Sequence, residues 1–476
     1  MHCCKPTLRA NSVIHCFTIN AQSLAQGMGD KKELRSLVLD VGSGSLHQVD
    51  DATLDVLKKL QDNPQELELL INSPLGELSG VKAEIRSLID KKQLFTADNL
   101  QAVNAHMQAR KPVVKALCLH MAHDCNLRCK YCFAGDGTYN VNDIDRGLMP
   151  FEIGKKALDF LIANSGTRRN LEVDFFGGEP MLNFETVKKL VAYGRKREKE
   201  SGKKFRFTLT TNGALLTDEA NLYINEHFDN VVLSLDGRPD VHDRMRIKHD
   251  GSGSYEHILP KVKALADSRD HKNYYVRGTF TRYNKDFAAD VMHLADAGFR
   301  HISVEPVVAP QEAGYSLREQ DLPVLFAEYE KLAEALLQRE RAGKGVHFFH
   351  FEMDLEGGPC LAKRVTGCGA GSEYLAVTPS GQLYPCHQFV GDENFRLGDL
   401  DTGIVKQDMI TEFSKCHVFA KPECVGCWAK YYCSGGCMAN AHHTHGDILK
   451  PDTISCELQK KRIECALYIL AERMQA

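Results

Sequence analysis

Between Val113 and Val308 short β-branched and apolar runs alternate with amphipathic segments, and this alternation restricts the possible folds strongly. Six runs read as strands: Val113 to Leu119, Glu172 to Phe176, Phe205 to Thr210, Asn230 to Leu235, Tyr274 to Thr281 and His301 to Val308. The intervening segments have helical spacing, shown clearly by Ile153, Ala157, Leu158 and Leu161. Strands separated by helices pair in parallel through crossovers. Six β/α units are too few to close an eight-unit barrel. The pattern therefore predicts an α/β fold, a partial (β/α)6 barrel over 113–345, with its chemistry at the carboxyl ends of the strands.

The chain has 476 residues, about three times a typical single domain, so two or three domains are expected. Residues 13–97 read as strands Val13 to Ile19, Ser36 to Val41 and Leu46 to Val49, the last two separated by a Gly42-Ser43-Gly44 turn. A helix from Asp51 follows, with Leu54, Val56, Leu57 and Leu60 on its apolar face; then a helix over Val81 to Leu88 and a wing strand at Leu94-Phe95. Together they suggest a winged helix-turn-helix. Residues 98–112 are polar, end in Lys111-Pro112 and read as a linker. After a long helix from Asp321 to Arg341 the alternation stops. Residues 346–476 read as a loop-rich, cysteine-rich domain with a hairpin at Tyr374 to Cys386, turned by Thr378-Pro379-Ser380-Gly381.

The net charge of -4 gives no electrostatic reason to expect nucleic acid or an acidic membrane as partner. Met1 to Asn20 lacks an apolar stretch of signal-peptide length, and no window approaches a transmembrane span. A cytoplasmic protein is expected. Seventeen cysteines, an odd number, exclude complete intrachain pairing. In a reducing compartment clustered thiols are more often metal ligands or catalytic groups than disulfides.

Two cysteine fields stand out. Cys125, Cys129 and Cys132 form a C-x3-C-x2-C triad just after the first barrel strand. Thiolates suit iron–sulfur clusters or zinc. On a four-iron cluster three cysteines leave one iron open to a substrate; with His120 or His123 they would instead close a zinc site. Downstream the spacing is C-x12-G-x4-C from Cys368 through Gly381 to Cys386, then C-x2-C-x5-C-x3-C through Cys424, Cys427, Cys433 and Cys437, then Cys456. Zinc ribbons are the alternative here. Cys3, Cys4, Cys16, Cys118, Cys416 and Cys465 fit no such spacing. His442, His443 and His445 read as a solvated face ahead of a metal tract.

Cys125-Asn126-Leu127-Arg128-Cys129-Lys130-Tyr131-Cys132 closely resembles the cluster loop of radical S-adenosylmethionine (SAM) enzymes. That resemblance implies a SAM-binding [4Fe-4S] cluster on the triad, with Tyr131 near the adenine. Gly177-Gly178-Glu179-Pro180 resembles the family's segment that contacts the SAM amino group, although a tight turn with a capping glutamate explains it equally. Thr210-Thr211-Asn212-Gly213 and Ser234-Leu235-Asp236-Gly237 resemble segments that line the SAM pocket, with Asn212 and Ser234 as hydrogen-bonding groups. Arg246 would pair with the methionine carboxylate or form a salt bridge. Val304-Glu305-Pro306-Val307 would offer backbone contacts to adenine.

All seven downstream positions match the pattern of the SPASM domain. By that resemblance Cys424, Cys427, Cys433 and Cys456 hold one auxiliary [4Fe-4S] cluster and Cys368, Cys386 and Cys437 another, completed by Cys360 or by a substrate thiolate. The N-terminal unit resembles the small peptide chaperone of quinone-cofactor biosynthesis, in which a leader peptide adds a strand to a sheet edge. The whole order, with Gly357-Gly358-Pro359-Cys360 ahead of the SPASM pattern, most resembles the SCIFF peptide maturases, which install thioether cross-links in a cysteine-rich precursor peptide. The resemblance implies SAM, three [4Fe-4S] clusters and a reductant such as flavodoxin or ferredoxin. It also implies a 5′-deoxyadenosyl radical that takes hydrogen from the peptide, while an oxidised cluster accepts the second electron as the C–S bond closes. Two rivals remain: a sulfatase-type maturase that makes formylglycine, and a non-catalytic iron–sulfur carrier or sensor.

Overall fold

The computed structural model describes residues 13–22, 32–98 apart from 75 and 77, 100–139, 147–353 and 361–475. The N-terminal strands β1 (Ile14–Gln22), β2 (Lys32–Asp40) and β3 (Leu46–Val49) form an antiparallel sheet in that order. Helices α1 (Asp51–Asp62), α2 (Pro64–Asn72) and α3 (Val81–Asp90) cover one face. Their Leu54, Leu57, Leu67, Leu70, Ile85 and Ile89 make a small core with Ile14 and Val38. Asp50 caps α1 by accepting from the Thr53 amide at 2.7 Å, and Asn63 caps α2 from Glu66 at 3.3 Å. The Asn63-Pro64 start of α2 was not foreseen in the sequence.

Two sequence expectations fail here. Leu94-Phe95 is not a wing strand: Phe95 has φ 50°, in the left-handed region, and both side chains are buried in the small core. The next residue, Thr96, is tied to β2 by its amide, which donates to Asp40 at 3.0 Å. Residues 98–112 are not an open linker either. They carry helix α4 (Leu100–Ala109), whose Val103 and Met107, four residues apart, pack on Val365 and Val418.

The other face of the N-terminal sheet, through Phe17, Ile19, Leu37 and Leu39, joins the main core. It meets two long helices, α5 (Leu322–Arg341) and α6 (Thr453–Gln475), there. The sheet is thus buried on both faces.

The six expected barrel strands are β4 (Ala116–Ala122), β6 (Asn170–Gly177), β7 (Lys204–Thr211), β8 (Asn230–Ser234), β10 (Tyr274–Phe280) and β11 (His301–Pro306). They pair in parallel in that order. Alternate residues such as Leu171, Val173 and Phe175 face the helical layer, leaving Asp174 and Phe176 for the interior. The sheet continues at both ends. β12 (His347–Phe348) adds in parallel to β11, and β13 (Tyr374–Val377) adds in parallel to β4. The foreseen hairpin of β13 and β14 (Gln382–Tyr384) therefore extends the barrel sheet, which ends at β15 (Gly398–Asp399) and β16 (Gly403–Ile404). Among the described residues no helix is long and apolar enough to cross a membrane.

Candidate active site

The triad loop leaves β4 and makes the three-residue strand β5 (Leu127–Cys129), which pairs with β9 (Arg246–Lys248) so that Cys129 lies opposite Arg246. The Lys130 amide extends this contact to the Met245 carbonyl at 2.8 Å. On the other side the loop is clamped by Gly177 and Gly178. The Gly178 amide donates to Ala122 O at 2.8 Å and that of Glu179 to Asp124 O at 2.9 Å. A Cβ on either glycine would strike those same backbone oxygens, so the loop itself demands glycine there.

Glu179 is buried behind this wall. Its carboxylate accepts from the Met181 amide at 3.0 Å, Thr211 Oγ1 at 2.7 Å and the Asn212 amide at 2.8 Å. Burial pushes its carboxyl up to about 7 against those three bonds. It caps the turn and fixes the end of β7, and it does not line the cavity in front.

That cavity, of 340 Å³, gathers the other barrel candidates. Cys125, Cys129, Cys132, Tyr131, Gly177, Gly178, Asn212, Ser234 and Arg246 all line it. Asn212 Nδ2 donates to Asn126 Oδ1 at 2.7 Å and lies 3.7 Å from Cys125 Sγ. Arg246 forms no surface salt bridge; its Nε donates to the fully buried Asp236 at 3.0 Å. The same carboxylate accepts from Tyr131 O–H at 2.6 Å and the Thr279 amide at 3.0 Å. The Arg246 guanidinium sits 5.5 Å over the Tyr131 ring. Asp236, noted in the sequence only as part of a segment, is the hub of this wall.

Arg277 and Glu305 also line the cavity; the sequence gives no sign of Arg277 there and offers Glu305 only through the backbone of its segment. Arg277 Nε and Nη2 donate to Glu305 at 3.2 and 2.9 Å. Burial raises the Glu305 carboxyl, but Arg277 and its neighbours outweigh this and hold it at about 2. The pair joins residues of adjacent strands, a relation that only the register reveals.

The downstream cysteines fall into two groups. Cys424, Cys427, Cys433 and Cys456 share a 530 Å³ cavity with β1 residues Ile14 and His15. Burial pushes the Cys456 thiol up to about 12, and Cys433, Cys424 and Cys427 push the same way. Cys368, Cys386 and Cys437 are mutual neighbours, and Cys437 also lines the barrel cavity. Cys360 lies outside the described residues.

Soft thiolates placed around cavities fit iron–sulfur clusters better than a single zinc ion, which draws its donors to one point. Among the described residues no three histidine, cysteine or carboxylate side chains are grouped to hold a single ion. His120 is turned to His123, at 3.1 Å, and both pack on Tyr139. His442 and His443 pack on Phe389. Cys118 and Cys465 are buried in the interior, as expected.

Residues 119–295 match the model of the Radical SAM superfamily. That stretch is a radical SAM domain. The chain is 21% identical over 453 residues to the radical SAM cyclopropyl synthase TigE of Paramaledivibacter caminithermalis, covering 88% of this chain and 89% of that one. It is 24% identical over 358 residues to a cysteine-type anaerobic sulfatase-maturating enzyme of Clostridium novyi, covering 72% and 92%. Among solved structures, anSMEcpe with bound AdoMet and the Kp18Cys peptide superposes with a TM-score of 0.62 at 21% identity, covering 75% of this chain and 99% of that one. The likeness establishes the fold of the radical SAM domain and its neighbouring elements.

Proposed function

We propose that this chain is a radical SAM maturase that joins a cysteine sulfur to a carbon of a ribosomally made, cysteine-rich precursor peptide. One observation carries the reading: the cavity that holds the Cys125 triad also contains Cys437, so a peptide entering it meets two cysteine groups at once. The resemblance of the seven-cysteine spacing to SCIFF maturases supports the thioether. Relatives named for a sulfatase-maturating activity, and a similar structure with a bound peptide, support a peptide or protein substrate.

When bound, SAM and the three clusters would supply a 5′-deoxyadenosyl radical for hydrogen abstraction and an acceptor for the second electron. The chain's own residues bind and orient. Arg246, anchored on Asp236, offers a cation to the SAM carboxylate, while Asn212 and Ser234 offer an amide and a hydroxyl. Tyr131 is held beside them by its bond to Asp236. Phe133, Phe176 and His387 add aromatic surface to the cavity and exclude water. Cys368, Cys386 and Cys437 leave a fourth ligand position for Cys360 or for the peptide's own thiolate. The N-terminal sheet, with β1 and β3 as its edges, would receive the leader as an added strand.

The test uses reconstituted protein, SAM, a flavodoxin or ferredoxin reductant and a short cysteine-rich peptide, to be sought as an open reading frame beside the gene. Deoxyadenosine and a peptide lighter by two hydrogen atoms, resistant to thiol alkylation at one cysteine, are the expected products. Absence of both would end this reading. A product that reacts with an aldehyde reagent would favour the sulfatase-type alternative, which the likeness to the Clostridium novyi enzyme keeps in view.

A further inference from the structure

Three lysines are buried among the described residues: Lys421, Lys430 and Lys461. Lys430 pairs with Asp98 at 2.7 Å, and Lys461 with Glu330 and Glu464. Lys421, only 1% exposed, makes no ion pair among the described residues. Its Nζ donates to the Gly435 carbonyl at 2.8 Å. An ammonium in that position is costly unless something nearby carries the opposite charge.

The main-chain carbonyl of Lys421 accepts from the Cys424 amide at 2.9 Å, and the Gly435 carbonyl that its Nζ holds lies two residues from Cys433 and two from Cys437. Burial raises the Cys424 and Cys437 thiols, and the Lys421 charge lowers both. The carbonyl it holds lies in the turn Ser434-Gly435-Gly436, with φ of 61°, 83° and 74°. Three successive left-handed residues form a conformation that needs outside support. This turn runs from Cys433, in one group, to Cys437, in the other.

We propose that Lys421 is the shared counter-ion of the two C-terminal cysteine groups, its charge compensating both sets of iron-bound thiolates while its bond to Gly435 fixes the turn between them. The inference rests on the reading of these groups as iron–sulfur sites. A cluster becomes more negative on reduction, so a fixed cation between two clusters raises both potentials. Lys421 thereby makes both groups better acceptors for the electron released as the C–S bond closes.

The test is a redox titration followed by electron paramagnetic resonance. It uses the full chain carrying Cys125→Ala, Cys129→Ala and Cys132→Ala, reconstituted with iron and sulfide, so that only C-terminal iron is seen. Adding Lys421→Met is expected to keep the iron and move both midpoint potentials negative, and Lys421→Arg to return them toward the parent. Unchanged potentials, or a shift in one group alone, overturn the shared role. If Lys421→Met loses iron, retention by Lys421→Arg supports the counter-ion, whereas loss in both variants assigns Lys421 to packing and overturns the inference. A parent protein without iron would bring down the functional reading, and the inference with it.

Discussion

The barrel cavity and the C-terminal cysteine groups present the same donor atom, sulfur, on different supports. In the barrel a regular parallel sheet brings strand ends from distant parts of the chain to one place, and a polar network centred on Asp236 orders them. In the C-terminal region the supports are short: four-residue helices at Pro422–Val425 and Lys430–Cys433, joined to Cys437 by the left-handed turn. Such pieces have little stability of their own. They are held by neighbours instead, through Lys421, the Lys430–Asp98 pair and Tyr431 O–H on Asp98 at 2.6 Å. If the C-terminal cysteines hold clusters as proposed, that region would draw on them for order, whereas the barrel would keep its shape without metal.

The contrast is tested most severely by removing one cysteine from each region. Cys129→Ala is expected to reduce deoxyadenosine formation to background with little change in melting temperature. Cys433→Ser should leave deoxyadenosine formation in place, abolish the cross-linked product and lower the melting temperature. Product analysis and thermal unfolding of the same samples separate the two; equal effects in both variants would erase the distinction.

Asp236→Asn probes the barrel's dependence on its polar hub. Loss of one partner of a buried ion pair costs about 3–5 kcal/mol, so SAM affinity and stability should both fall, measured by calorimetry and denaturant titration. A change confined to stability would remove Arg246 from the SAM site. Gly178→Ala is milder: a methyl group pressed on the Asp124 carbonyl should cost about 1–3 kcal/mol and weaken SAM binding by displacing the triad loop.

The smallest effect is expected where the N-terminal sheet meets the C-terminal region. His15 stacks on Trp428 with ring centres 3.6 Å apart, and its Nε2–H donates to the Glu464 carboxylate, 2.9 Å away. His15→Ala should cost about 0.5–1.5 kcal/mol. Trp428 is the chain's one tryptophan, so its fluorescence reports the loss directly.

The barrel strands were legible to within a few residues because alternation is a local property of the sequence. The short helix α2 and helix α4 were missed, since polar residues mask their narrow apolar faces. The Phe95 correction has a similar origin: an apolar pair resembles a strand, and its left-handed backbone is set by packing and by Asp40. In the site, Cys125, Cys129, Cys132 and Gly177-Gly178 could be found from spacing. Nothing local marks Arg277 and Glu305 as partners, because their contact depends on the pairing of β10 with β11.

The sequence by itself determined the order of strands and helices and the grouping of cysteines by spacing, both of which reside in short-range pattern. The tertiary structure alone decided that Glu179 faces the turn and Arg246 the buried Asp236. It also decided that Cys437 opens on the barrel cavity and that Lys421 reaches the Gly435 carbonyl in the turn from Cys433 to Cys437. The physical reason is that burial and charge pairing depend on which distant segments become neighbours, and the composition of a segment does not contain that information.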